Sequence, residues 1–335
     1  MSPPATLTTD AVRVTALRKT FRAGRQQVEA LSGVDLRVAP GQIYGFLGPN
    51  GAGKTTTLRI LTTMLRQDSG EAVVAGIDVR QRPREVRRRI GYVGQLGGAD
   101  LSATGRENLV LQGRLYGMGA AEADHRATEL AGLLDLSSFQ HRIVRTCSGG
   151  QRRRLEVALG IMHRPEVLFL DEPTLGLDPQ NRANLWDQLR ALRERGTTIV
   201  ITTHYLDEAD QLCDRVAIID HGRIVAEGTP GELKHRHPAA VVILPRPHGS
   251  GLESLAERVS HAPLVRSVQV QDGALRVHVG DATSALAAIF DLLRSERIDV
   301  LRVSLTEPSL DDVFLHETGR SLRDGGDPSR AEAAG

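Results

Sequence analysis

Lysine is nearly missing from this chain: Lys19, Lys54 and Lys234 are the only three, and all other fixed side-chain cations are arginine. A lysine inside a glycine-rich stretch therefore stands out. Cysteine is as scarce, with Cys147 and Cys213 alone; this excludes a disulfide framework and leaves two free thiols as the expectation. Phe, Tyr and Trp make up 3% of the residues, too few for the stacking platforms of a single-strand nucleic-acid binder. Neither sign of charge prevails, with 42 Lys+Arg against 41 Asp+Glu. No global basic field is present, and nucleic acid is not expected as a partner. No uninterrupted apolar run of about 18 residues occurs, so no spanning helix is expected. The opening MSPPATLTTD lacks the charged start and apolar run of a signal peptide. Residues 1–10 read as a flexible N-terminus, and a cytoplasmic location is expected.

What is present begins with GFLGPNGAGKTTTLRILTTML. Ile43–Leu47 reads as a short apolar strand, and Leu58, Leu61 and Leu65 fall at helical spacing. Between them Gly48, Pro49, Asn50, Gly51, Ala52, Gly53, Lys54 and Thr55 fit G-x-x-x-x-G-K-[ST] at every fixed position. Glycines let the backbone curl so that successive N–H groups face phosphate oxygens, and the helix adds its positive end. Lys54 supplies a full charge toward the β- and γ-phosphates, and the Thr55 hydroxyl suits Mg²⁺. A ligand-free glycine turn is the competing reading; the complete motif in its strand–loop–helix setting argues against it.

A second apolar run, Val167–Leu170, reads as a parallel strand buried on both faces and ends in Asp171-Glu172. Carboxylates at the C-terminal edge of such a sheet lie where ligands gather. Asp171 suits Mg²⁺, and Glu172 could take a proton from an attacking water. A capping role would explain the pair equally well without the phosphate loop. A third strand, TTIVITTH, ends in His204. A lone histidine is usually structural; at this edge a γ-phosphate contact is the better expectation.

Residues 99–160 read as largely helical, with Thr104 and Glu107 as a capping box. This lobe delivers Ser148-Gly149-Gly150-Gln151 at a helix start, a second anion site. The arginines that follow, Arg152–Arg154, read as a solvated helix face without a site role.

These motifs, in this order, resemble the ATP-binding subunit of an ABC transporter. GPNGAGKTT, through Thr56, resembles the family's phosphate loop, SGGQ its signature, LFLDEP its acidic strand, LGLD with Asp178 its D-loop, and His204 its switch histidine. Gln95 in IGYVGQ resembles the Q-loop glutamine, a metal and catalytic residue. Phe21 in KTF resembles the aromatic residue that stacks on adenine. The resemblance implies an α/β fold: a P-loop NTPase cassette over residues 11–235, a mixed sheet with an inserted helical subdomain at about 99–160. It implies ATP and Mg²⁺ as cofactors, catalysis by Lys54, Gln95, Glu172 and His204, and a second copy of the chain as partner. In that dimer the signature of one copy caps the ATP held by the other. Cys147 departs from the bulky residue usual before Ser-Gly-Gly-Gln, a departure expected to be tolerated.

Asp178-Pro179 also reads as N-cap and first residue of a helix, and His221-Gly222 as a hairpin turn with a structural role. Residues 240–320 change character. The order β-α-β-β-α-β predicts a small ferredoxin-like α+β domain, followed by a last helix capped by Ser309. Residues 321–335 read as a disordered tail. The single P-loop unit, this added domain and the segment TEPSLDDVFLHETG resemble the drug-exporting, daunorubicin/doxorubicin-resistance branch of ABC ATPases. That branch implies a separate integral-membrane permease of the ABC-2 type, which would hold the chain at the cytoplasmic face of the membrane.

Overall fold

A computed structural model describes residues 10–23, 26–236, 239–245, 252–271, 273–279, 282–295, 300–306 and 308–319. The readings of residues 1–9 as flexible and of 321–335 as a disordered tail lie outside these. The chain divides into two compact units, the second running from Gly231 to Ser321.

The first unit opens with β1 (Val12–Ala23) and β2 (Gln26–Val38), which pair antiparallel. β3 (Ile43–Leu47) is buried throughout and leads through the glycine loop into α1 (Lys54–Leu61). β4 (Ser69–Val74), β5 (Ile77–Asp78), α2 (Pro83–Arg89) and β6 (Ile90–Val93) follow. The lobe then contributes α3 (Gly105–Leu115), α4 (Ala120–Leu133) and α5 (Gly149–Gly160). Thr104 forms the expected capping box, accepting from the Glu107 amide. The chain returns through β7 (Val167–Asp171), α6 (Pro179–Glu194), β8 (Thr198–Thr203), α7 (Leu206–Leu212), β9 (Arg215–Asp220) and β10 (Arg223–Gly228); α8 (Pro230–His235) then begins the second unit.

Two sheets result. One has the order β2-β1-β4-β5; the other has the order β10-β9-β3-β8-β7-β6, parallel except for β10. Every residue of β3, β7 and β8 is buried, as continuous apolar strands covered on both faces should be. A single core joins Val14, Leu17 and Leu36 of the antiparallel sheet to Phe46, Phe169 and Val200 of the parallel one. Parallel pairing puts the C-terminal ends of β3, β6, β7 and β8 at one edge. Four of the sequence motifs follow those four ends.

The second unit contains β11 (Ala239–Pro245), α9 (Leu252–Ser260), β12 (Val265–Gln271), β13 (Ala274–Val279), α10 (Ala282–Ser295), β14 (Val300–Thr306) and α11 (Leu310–Thr318). Its sheet order, β12-β13-β11-β14 and wholly antiparallel, is the ferredoxin-like arrangement. Leu275, Val277 and Val279, alternating along β13, pack against Val259 of α9 and Ile289 of α10. Ser309 caps α11 in a reciprocal box with Asp312. Gly273 sits at the predicted turn with φ 74°, while its neighbour Asp272 lies outside the described residues. His235 ends α8, its Nδ1 2.7 Å from the Gly231 carbonyl oxygen.

Candidate nucleotide site

The loop after β3 is built around glycine. Gly53 has φ 109°, and a Cβ there would stand 2.8 Å from both the Ala30 carbonyl oxygen and a Leu31 methyl. Only glycine gives this backbone without strain. Asn50 and Gly51 are exposed, whereas Gly48, Ala52 and Gly53 are buried, Pro49 is half-buried and Thr56 lies half-buried in the first turn of α1. The hairpin between β9 and β10, with positive φ at His221 and Gly222, braces this loop: the Gly222 amide donates to the Ala52 carbonyl at 3.0 Å.

Lys54 is 4% exposed, and its Nζ donates to the carbonyls of Gly48 at 2.6 Å and Pro49 at 3.1 Å. It also lies 3.7 Å from Glu172 Oε1. Burial pulls the Lys54 ammonium below the ordinary lysine range, opposed by the charges of Glu172 and Asp171. His204 Nδ1 is 3.4 Å from the same Glu172 oxygen. The His204 imidazole first, and the Lys54 charge after it, hold Glu172 below the usual carboxylate range against the opposing effect of burial. Glu172 is thus ionised at neutral pH, the form a proton acceptor needs.

Thr55 Oγ1 donates to Asp171 Oδ1 at 3.1 Å, so a hydroxyl and a carboxylate oxygen meet beside the loop. Two hard oxygen donors fit Mg²⁺. No group of three or more His, Cys, Asp or Glu suited to a metal exists among the described residues. Any such ion would therefore complete its shell with phosphate oxygens and water. Gln95 stands on the exposed loop after β6, and no hydrogen bond ties it to Thr55 or Asp171. It lines a cavity of about 390 Å³, shared with Arg59, Tyr92, Leu96, Tyr116 and Asp171. A neighbouring cavity of about 330 Å³ joins Gln95 to Gly149, Glu172 and Leu175. Phe21 is half-exposed on β1, its ring 5.6 Å from Lys19 Nζ.

Ser148 caps α5. Its hydroxyl accepts from the Gln151 amide at 3.2 Å, and the Gln151 side chain accepts from the Ser148 amide at 3.0 Å. This box consumes two of the four proposed donors, leaving the amides of Gly149 and Gly150, which have no intrahelical acceptor at a helix start. Cys147, just before the cap, is buried, its Sγ donating to the Ile143 carbonyl at 3.8 Å. A Cβ on Gly150 would stand 2.5 Å from the Asn181 side chain. Asn181 in turn donates to Asp178 from its amide at 3.0 Å and from Nδ2 at 2.5 Å, so Asp178 caps α6 as expected.

The sequence reading fails at the arginine run. Arg153 is 7% exposed and donates to the carbonyls of Gly94, Asp171, Glu172 and Pro173. Arg154 donates to Asp135 and lies over the Phe139 ring. α5 packs against α3, α6 and β6, so the flanks that bear Arg153 and Arg154 meet protein rather than water. Thr202 was missed as well. Its Oγ1 donates to Asp171 Oδ1 at 2.6 Å and accepts from the Glu172 amide at 3.0 Å. It sits inside an apolar strand, where nothing local distinguishes it.

A phosphate loop, an acidic strand end and a histidine converging on one sheet edge define a P-loop ATPase cassette. Residues 31–175 match the family described as ABC transporter, and residues 228–318 match the ATP-binding protein DrrA1-3-like C-terminal domain. The chain is 45% identical to the daunorubicin/doxorubicin resistance ATP-binding protein DrrA of Streptomyces peucetius, covering 97% of each chain. It is 40% identical to a Nod factor export ATP-binding protein I of Paraburkholderia xenovorans, covering 88% of this chain and 93% of that one. A dimeric ATP-binding cassette, MJ0796, in a post-hydrolysis state bound to ADP and Pi aligns at TM-score 0.60 and 27% identity, over 65% of this chain and 98% of that one. The chain belongs to the ABC transporter ATP-binding subunits, in the branch that carries the DrrA-like C-terminal domain, and is an ATPase. No helix among the described residues is long and apolar enough to cross a membrane.

Proposed function

We propose that this chain is the motor of an exporter for drug-like or antibiotic small molecules, acting on a separate ABC-2 type permease at the cytoplasmic face of the membrane. The resistance proteins it resembles support the substrate class. The observation that carries the chemistry is the meeting of Lys54 and His204 on one oxygen of Glu172.

In this reading ATP lies along the loop from Gly48 to Thr56, its adenine on Phe21. Lys54 Nζ exchanges the Gly48 and Pro49 carbonyls for phosphate oxygens. Thr55, Asp171 and Gln95 would hold Mg²⁺, which supplies neutralising charge at the β- and γ-phosphates. Glu172 accepts a proton from the attacking water, and His204 orients Glu172 and faces the γ-phosphate. The start of α5, Ser148–Gln151, caps the ATP of a second copy in a head-to-tail dimer, the Gly149 and Gly150 amides donating and the Ser148–Gln151 box holding the turn, with Asp178 near the same seam. Fully exposed Leu96, with Tyr116 on the same Gln95 cavity, offers an apolar landing for a cytosolic helix of the permease.

The test is phosphate release by purified chain with Mg²⁺ and ATP, with and without the co-expressed permease. Turnover lost in Lys54→Ala, and drug resistance requiring both genes, are expected. Full activity and full resistance without any permease would overturn the exporter reading.

A further inference from the structure

The guanidinium of Arg153 has five N–H donors, and each has its own acceptor. Nε donates to Pro173 O at 2.8 Å. Nη1 donates to Gly94 O at 2.8 Å and to Glu156 Oε2 at 2.9 Å. Nη2 donates to Asp171 O at 3.1 Å and Glu172 O at 3.4 Å. One buried side chain therefore grips three successive carbonyls at the end of β7 and the carbonyl next to Gln95.

The middle carbonyl belongs to a residue in an uncommon conformation. Glu172 has φ 48°, left-handed and costly for a residue with a Cβ. Its amide is held by the carbonyl and hydroxyl of Thr202 at 3.1 and 3.0 Å, and its carbonyl by Arg153. The two grips together fix where the Glu172 side chain leaves the backbone. Arg153 also stands one turn beyond Gly149 and Gly150 on α5. A rigid helix thus connects the phosphate-capping end to the guanidinium that holds Glu172.

We propose that Arg153 is a positioning residue that couples the two ATP sites of the dimer. Capture of the partner's γ-phosphate at Ser148–Gly150 shifts α5, and Arg153 carries that shift to Glu172, which serves the ATP bound in the same chain as Arg153. The inference rests on Glu172 as general base and on the head-to-tail dimer proposed above.

The experiment compares full-length wild type, Arg153→Gln, Arg153→Lys and Glu172→Gln by ATP affinity, kcat and the Hill coefficient of hydrolysis. Wild type should show a Hill coefficient above 1. Arg153→Gln should bind ATP within about threefold of wild type, lose roughly 10²-fold in kcat, as a misplacement of about 1 Å can cause, and drop to a Hill coefficient of 1. Arg153→Lys, with three donors for five acceptors, should recover part of kcat but little cooperativity. A wild-type coefficient of 1, or an unchanged coefficient in Arg153→Gln, overturns the coupling. If Arg153→Gln does not fold, Glu156→Gln loosens the same guanidinium and should lower the coefficient; an unchanged value there overturns it too. Normal turnover by Glu172→Gln would sink the base assignment instead, a separable failure.

Discussion

Lys54 Nζ and Glu172 Oε1 stand 3.7 Å apart with both side chains buried, so the cation of the glycine loop and the carboxylate at the end of β7 neutralise each other. In the proposed mechanism a γ-phosphate that draws Lys54 toward itself would release the carboxylate to act as proton acceptor, so that binding and activation would share one ion pair.

Replacing Lys54 by Met removes a desolvated cation along with its partner's counter-charge. Losing one partner leaves the Glu172 charge buried and less compensated, which destabilises the fold. We expect ATP turnover to fall below detection and the thermal midpoint to drop by several degrees, measured by phosphate release and calorimetry.

The pH dependence should move with His204. Glu172 must be ionised to accept a proton, so activity is present above its pKa and lost as pH falls through it. His204 is the largest cause holding that pKa down. In His204→Ala the residual activity should therefore fail at a higher pH than in wild type. An acid limb that stays in place would assign the limb to another group.

Thr202 joins the two acidic residues through one hydroxyl. Thr202→Val keeps the shape and leaves the Asp171 carboxylate short of a donor. A loss of about 1–3 kcal/mol in urea unfolding is expected, with a matching fall in kcat. Unchanged kcat would make Thr202 purely a packing residue.

Gly150→Ala drives a methyl into Asn181. Binding of ATP to the isolated chain should persist, because Lys54 and the loop are untouched, while ATP-dependent dimerisation weakens. Asn181→Ala in the same chain should restore part of it. Sedimentation velocity of the single and double variants checks this.

Much of this was legible in the sequence because the motifs are local. Gly53 needs its conformation whatever surrounds it, and Ser309 or Thr104 signals a cap within four residues. β3 and β7 declare double-sided burial by continuous apolar runs. Arg153 and Thr202 could not be read this way. The carbonyls that Arg153 holds lie 18–20 and 59 residues away along the chain and the partners of Thr202 30–31, and an arginine between two arginines looks solvated until the helix is seen packed. The signature also changed meaning: Ser148 and Gln151 satisfy each other first, so the amides of the two glycines remain for an anion.

The most direct test is sedimentation of Glu172→Gln with Mg²⁺ and ATP. The carboxamide keeps the shape of the site and removes the proton acceptor, so ATP should persist and the chain should sediment as a stable dimer that ADP does not support. A variant that remains monomeric at high concentration with ATP bound would contradict the head-to-tail dimer, and with it the proposed use of Ser148–Gln151.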